Sequence, residues 1–211
     1  MVIRTVKEQD IHSVALIHRA ALAGTPASRL GPDYVEALYR WFIRQPNHEG
    51  LVAVEDGQVA GVITLTYDLV RTQKLFTKAL GVQTILGMAR LFFTGRIRIS
   101  DIVHRYVFEQ SVHKISRPYV TIQTLAVAQS RRRQGVGKRL VSQMLRILQK
   151  HNTRTLFVDT RQTNIGAIRF YTSLGFRRVR RVADSLIFSK NLVSQRLRVD
   201  DRDTPAKFPG I

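Results

Sequence analysis

Arg132-Arg133-Gln134-Gly135-Val136-Gly137, followed by Asn164-Ile165-Gly166-Ala167-Ile168-Arg169-Phe170-Tyr171-Thr172-Ser173-Leu174-Gly175-Phe176, is the part of this chain whose reading decides the fold. The first stretch follows an apolar strand pattern, Tyr119 to Val127, and opens a long amphipathic helix pattern, Gly135 to Lys150. The free N–H groups of a helix start and its dipole then face one compact anion. Two other phosphate loops do not fit. A P-loop needs Ser or Thr after Gly-Lys, and Arg139 follows Lys138. A dinucleotide fingerprint needs a third glycine where Leu140 stands.

Outward from the glycine turn, the periodicity alternates between strand and helix. Val2 to Val6 reads as a strand, and Asp10 to Ala23 as a helix with Ile11, Val14, Ile17 and Ala21 near one face. Gly31-Pro32-Asp33 starts a second helix, because proline suits the first helical position and Asp33 and Glu36 favour its positive end. Tyr34, Val35, Leu38, Tyr39, Phe42 and Ile43 form its expected buried face. Leu51 to Val54 and Gln58 to Thr66 are strands joined by Glu55-Asp56-Gly57, where Asp-Gly signals a hairpin. After the phosphate turn and its helix come a strand, Thr155 to Asp159, a helix, Asn164 to Leu174, and a closing hairpin through Phe176 to Phe188.

The quoted stretches resemble the acetyl-CoA pyrophosphate loop (Q/R-x-x-G-x-G/A) and the later N-x-x-A-x-x-F-Y-x-x-x-G-F motif of the GCN5-related N-acetyltransferase (GNAT) superfamily. The resemblance covers roughly residues 119 to 190. It implies an α/β fold, a central mixed β-sheet flanked by helices, in which two parallel strands splay and admit the pantetheine arm of acetyl-CoA. By position those strands are Tyr119 to Val127 and Thr155 to Asp159. The resemblance then implies backbone partners for pantetheine at Leu125, Ala126 and Val127, and a pyrophosphate wrapped by Arg133, Gln134, Gly135, Val136, Gly137 and Lys138. At Gly135 and Gly137 a side chain would stand between the amides and the phosphate oxygens. Arg131 and Arg132 are either CoA contacts or solvated charges.

Asn164 falls on the family asparagine that touches the CoA arm, and it would equally serve as an ordinary helix cap. Tyr171 falls on the family tyrosine near the sulfur, where a phenol can protonate the departing thiolate. Many relatives carry a strand glutamate as base, but Thr121, Gln123 and Thr124 occupy that stretch here, and none is a base near neutral pH. Asp159 is the nearest remaining candidate, and Asp68, His104, Glu109 and His113 could enter from the neighbouring insertion. The expected reaction is direct acetyl transfer from acetyl-CoA to a primary amine of a small or nucleotide-linked acceptor. Leu125 to Val127 would supply oxyanion N–H groups. Two alternatives stand beside it: a long-chain acyl-CoA N-acyltransferase at a membrane surface, and a non-catalytic CoA- or RNA-binding module.

The 211 residues, 44% of them apolar, suit one core, so residues 1 to 195 are expected to form a single domain. Residues 67 to 118 exceed an ordinary strand connection and carry helix-like apolar clusters, among them Leu75, Phe76, Ile85, Leu86, Ile102, Val103 and Val107. A helical insertion is expected there, docked on the core, covering the acceptor, forming a homodimer face or touching a membrane. The polar tail, residues 196 to 211, is expected to be flexible. The chain has no cysteine, which excludes a thioester-forming Cys mechanism and thiolate metal sites, and the histidines show no paired ligand spacing, so no metal is expected. The start, Met-Val-Ile-Arg-Thr-Val-Lys, runs directly into a strand, and Arg90 breaks the longest apolar run, so a cytoplasmic, non-spanning protein is expected.

A net charge of +19 favours anions in general, with concentrations at Arg131-Arg132-Arg133, Lys138-Arg139 and Arg177-Arg178-Val179-Arg180-Arg181. Charge alone does not separate a nucleotide-linked substrate from an acidic membrane or RNA, and no specific nucleic acid is expected as a partner. A narrower resemblance, carried by Ala23-Gly24-Thr25-Pro26-Ala27-Ser28-Arg29-Leu30-Gly31 with Leu38-Tyr39 and the long insertion, is to GNAT proteins of polysaccharide biosynthesis. It implies a nucleotide-linked amino sugar as acceptor.

Overall fold

The computed structural model describes residues 1–93 and 118–193. Seven strands make one sheet in the order β1-β2-β3-β4-β5-β7-β6. They are β1 (Val2–Thr5), β2 (His48–Glu55), β3 (Gln58–Thr66), β4 (Thr121–Val127), β5 (Thr155–Arg161), β6 (Arg177–Val182) and β7 (Ser185–Asn191). The helices are α1 (Ile11–Ala21), α2 (Pro26–Arg29), α3 (Pro32–Ile43), α4 (Leu69–Phe93), α5 (Val136–Lys150) and α6 (Ile165–Ser173).

Helices α1, α3, α5 and α6 cover the sheet with the faces their spacing provides. On one side Leu140, Met144 and Leu148 of α5 lock against Ile63, Leu65 and Leu156 of the sheet, all fully buried. On the other side Ile11 and Val14 of α1 and Val35 and Tyr39 of α3 pack on Val52 and Val62. Alternate residues of β2 and β3 serve the two cores, as period-two strands buried on both faces require. A third, smaller cluster, Leu69, Tyr119, Phe157, Val182 and Ile187, lies where α4 begins and β4 meets β5.

Several boundaries differ from the sequence reading. Strand β2 begins at His48 rather than Leu51, because Asn47 and His48 continue the ladder with β3 and Tyr67. The short α2, unforeseen in the sequence, is capped by the Thr25 hydroxyl, which accepts from Ser28 N, with Pro26 at its first position. Of the face expected on α3, Val35, Tyr39 and Phe42 are buried and the rest half-buried.

The first half of the expected insertion is one 25-residue helix, α4. Its start is fixed by Asp68, whose Oδ1 accepts from Val70 N and Arg71 N at 3.1 Å each. Thr72 bonds to Thr66 and to His48 Nε2, and Phe76 packs edge-on against Tyr34 and Trp41. Further along, Ile85 and Leu86 are 67% and 66% exposed. No described helix is long and apolar enough to cross a membrane. The second half of the expected insertion, with His104, Glu109 and His113, lies outside the described residues, as does the tail from residue 196.

Candidate functional site

Strands β4 and β5 run parallel, yet they share a single pair, Thr121↔Phe157, sealed by Phe157 N donating to Val120 O at 2.9 Å. Every other neighbouring pair of strands is antiparallel and joined over several residues. Beyond Thr121 the two strands therefore part, and the β5-facing backbone groups from Ile122 to Val127 are left without strand partners. Unpaired backbone of this kind inside a sheet is a ready edge for an extended ligand. A bulge sits in the same stretch: Thr64 pairs Thr124 and Leu65 pairs Ile122, which leaves Gln123 out of the ladder. Leu125 and Val127 lean on the α5 and α6 core, while Ala126, 2% exposed, packs toward α1.

At the open end of β4 the chain turns through Gln129–Arg131 and enters α5. Arg133 (φ +61) and Gly135 (φ +81) adopt left-handed backbone. Gln134 braces the turn through Nε2 to Ser130 O, 2.9 Å. The first backbone bond into the helix is Arg139 N to Gly135 O, 3.0 Å, so the N–H groups of Val136, Gly137 and Lys138 have no carbonyl partner, and no side chain caps them. A Cβ at Gly135 would meet nothing within 4 Å. The turn is thus an open cluster of donors at a helix start, suited to a phosphate.

The structure separates the residues around the turn. Arg131 bonds to Glu55 at 2.8 Å and Asp56 at 3.2 Å, tying the turn to the β2–β3 hairpin. Arg132 Nε reaches Val127 O at 3.4 Å, and Arg133 and Lys138 are exposed. Val136 is 2% exposed, so only its backbone can meet a ligand. Gly137 faces elsewhere than the sequence reading supposed: a Cβ there would lie 3.5 Å from Phe170 and 3.7 Å from Val127, in the throat between α5, α6 and the end of β4. A cleft of about 670 Å³ lines the outer side of α5 with Gln134, Lys138, Ser142 and Arg146, but it contains neither Asp159 nor Tyr171.

Asn164 caps α6, its Oδ1 accepting from Ala167 N at 3.0 Å. About two turns later Tyr171 stands in the core, 6% exposed, edge-on to Phe170 and Phe176. Asp159 is exposed and belongs to the opposite face of β5, the face of Phe157. Burial first, and then the Asp159 charge, push the Tyr171 phenol well above its ordinary value. The same carboxylate, again after burial, raises Tyr119, whose hydroxyl is buried without a hydrogen-bond partner among the described residues and whose ring stacks on Phe157 at 4.4 Å. Both phenols stay protonated at neutral pH.

Of the other candidates for a base, Asp68 is occupied as the α4 cap. Tyr119 was missed by sequence reasoning, since a tyrosine opening an apolar strand signals only packing. A buried pair was missed as well: Tyr39 OH and His18 Nδ1 share a hydrogen bond at 2.9 Å. Burial depresses His18 to about 4, so it is neutral at pH 7. From the α1–α2 connection Gly24 approaches Arg161 of β5, whose Nη1 would lie 4.0 Å from a Cβ there. Arg161 in turn faces Asp184 of the β6–β7 turn at 3.9 Å. The α1–α2 connection, β5 and the last hairpin thus border the mouth on the Asp159 side.

Comparison with known proteins agrees with this geometry. The profile of the acetyltransferase (GNAT) family matches residues 15–176. Among solved structures, the ribosomal-protein-S18-alanine N-acetyltransferase from Escherichia coli superposes with a TM-score of 0.58 at 17% identity, covering 90% of this chain and 93% of that one. The PaiA N-acetyltransferase from Thermoplasma acidophilum, in complex with coenzyme A, gives 0.55 at 14% identity, covering 90% and 98%. Ard1 from Thermoplasma volcanium gives 0.56 at 19%, covering 90% and 96%. No curated protein sequence matches the chain significantly.

Proposed function

This chain belongs to the GNAT acetyltransferase family, and within it we propose an acetyl-CoA-dependent N-acetyltransferase that acts directly on a primary amine of a small or nucleotide-linked acceptor. The observation that carries this reading is the parting of β4 and β5 after the single pair Thr121↔Phe157, beside the uncapped helix start at Gly135. The residues fit acetyl-CoA: unpartnered N–H groups at Val136 to Lys138 suit its pyrophosphate, and the open edge of β4 suits its pantetheine. The co-substrate supplies an acyl group activated as a thioester.

The chain's own residues supply position and protons. Asp159 takes a proton from the incoming ammonium, directly or through one water, which frees the amine to attack. Backbone N–H groups of Leu125 to Val127 hold the thioester carbonyl and favour negative charge on its oxygen. Tyr171, kept protonated by burial, gives its proton to the departing sulfur. Asn164, with Oδ1 engaged in the helix cap, has Nδ2 available for the pantetheine arm. No covalent enzyme intermediate is required, and transfer proceeds in a ternary complex.

The acceptor is read from the border of the mouth, where Arg161 favours an anionic group beside the amine and Asp159 favours the ammonium itself. The amino-sugar resemblance of residues 23 to 31 supports a nucleotide-linked amine. Structural relatives that are ribosomal-protein-alanine N-acetyltransferases bring an alanine-initiated peptide into the same panel. The test is CoA release from acetyl-CoA with nucleotide-linked amino sugars and alanine-initiated peptides, with initial rates taken against both substrates. Intersecting rate patterns with one acceptor class, abolished by Tyr171→Phe, are expected. Ping-pong patterns, or no binding of any acyl-CoA, would overturn the reading.

A further inference from the structure

We propose that the outer edge of the sheet, strand β6, binds the sugar–phosphate backbone of a nucleic acid without sequence specificity. Strand β6 is the last in the sheet order, so among the described residues its far side is unpaired. It reads Arg177-Arg178-Val179-Arg180-Arg181-Val182, and all but Val182 are exposed.

The register distributes the four arginines evenly. Arg177 and Arg180 pair with Ser189 and Ile187, on the face of the Tyr119–Phe157 cluster. Arg178 and Arg181 pair with Phe188 and Leu186, on the face of α5 and α6. Two guanidinium groups therefore fan from each side of the edge. Those sharing a face stand two register positions apart, about 7 Å, a step comparable to that between phosphates of an extended single strand.

None of the four has an ion pair among the described residues; the one bond is Arg181 Nε to the Ala183 carbonyl at 3.2 Å. Other arginines of this chain are treated differently. Arg4 is clamped to Asp10, Arg40 to Glu8 and Glu36, and Arg131 to Glu55 and Asp56. Four like charges in one short strand repel one another, and an anion relieves that repulsion.

Protection of the edge accounts for part of this pattern and not for all of it. A bulge at Val179, which has no partner in β7, already breaks the spacing that an added strand would need. The bulge also argues against an acidic peptide, whose natural mode here would be strand addition. What remains is recognition through side chains. The guanidinium fork suits phosphate oxygens in pairs, and its plane stacks on unpaired bases. The net charge of +19 would draw a polyanion to the surface from a distance.

The test uses the full chain and fluorescence anisotropy of a labelled single-stranded oligouridylate of about 20 nucleotides over a salt series. The R177Q/R178Q/R180Q/R181Q variant is compared with R44Q/R71Q/K74Q/K78Q, which removes the same charge from other exposed positions. The β6 variant is expected to bind at least about tenfold more weakly near 100 mM salt, with its log–log salt slope reduced by about 0.7 per lost contact. The control should stay within about threefold of wild type. Equal losses in the two variants would make the attraction diffuse and overturn the site. Tighter binding to polyglutamate or to phosphatidylglycerol vesicles than to the oligonucleotide would overturn the partner. Should the fourfold variant melt early, the pairs R177Q/R180Q and R178Q/R181Q each carry half the expected change.

Discussion

Replacing Gly137 by alanine should strengthen the fold and weaken acetyl-CoA binding at the same time. Gly137 lies in the first turn of α5 with no left-handed backbone, so a methyl group fits its conformation. The new Cβ would stand 3.5 Å and 3.6 Å from Phe170 and 3.7 Å from Val127, ordinary contact distances that require no movement. Alanine favours a helix over glycine by about 0.8 kcal/mol, somewhat less so near an end, and the added contact works in the same direction. A gain of about 0.5–1 kcal/mol raises the melting temperature by roughly 1–4 °C in a chain of this size. The same methyl narrows the throat between the phosphate turn and the parted strands. Overpacking of that kind costs a bound ligand about 1–3 kcal/mol, or roughly 5- to 150-fold in affinity. Melting without ligand and calorimetric titration with acetyl-CoA measure the two effects on one preparation. A lower melting temperature would refute the packing argument, and undiminished affinity would refute the path assigned to the co-substrate.

Other positions separate the roles further. Gly135→Ala, at φ +81, should lose about 1–2 kcal/mol of stability even though its Cβ meets nothing, and a thermal melt reads this directly. Tyr171→Phe should lower kcat by about 10²-fold or more while the acetyl-CoA Kd stays within twofold, since only the proton source is removed. Asp159→Asn should remove the acid limb of the pH–rate profile and ease the Tyr171 phenol back toward its ordinary value, which a spectrophotometric titration of the phenol follows. His18, about 4 in the fold against 6.5 unfolded, contributes full stability above pH 6.5 and loses it as the pH falls toward 4. Between pH 7 and pH 5 the wild type should lose about 2 kcal/mol more than His18→Gln by urea midpoint, and parallel losses would count against the buried His18–Tyr39 pair.

Much of the architecture was legible because it rests on local rules. Strands β2 and β3 and their Asp-Gly turn follow from alternation and turn chemistry, and α5 from an apolar face at Val136, Leu140, Val141, Met144 and Leu148. The parting of β4 from β5 is a different matter. Nothing in Thr121–Val127 or Thr155–Arg161 distinguishes strands that pair fully from strands that pair once, and only the flanking motifs implied it. The ion pairs of Arg131 were illegible for a related reason, since Asp56 lies 75 positions away in the chain. Asn164 carried two readings from one residue type, and the cap is realised while Nδ2 leaves room for the other. The short α2 was hidden because four residues give no periodicity to read.

Asp159 emerged from the sequence only by elimination, and its geometry explains why a base can sit there when β4 offers none. β4 offers none because Thr121, Gln123 and Thr124 carry no carboxylate, and the bulge leaves Gln123 out of the ladder. Asp159 is the first exposed position of β5 past the last pair, on the face of Phe157. Tyr171 belongs to the core on the other face, with Leu156 and Val158 of β5, its ring held edge-on by Phe170 and Phe176. In the proposed reaction a base on one face and an acid on the other would keep the two proton transfers apart, so that the amine and the sulfur would not compete for a single group. The proposed reaction would also set a requirement on the acceptor: its amine would come in over Phe157 and Tyr119, past Arg161, where Gly24 and Asp184 approach that arginine. Exchanging Arg161 for Gln should therefore raise KM for an anionic acceptor by roughly tenfold and leave that for acetyl-CoA unchanged, and an equal change in both would place the acceptor path elsewhere.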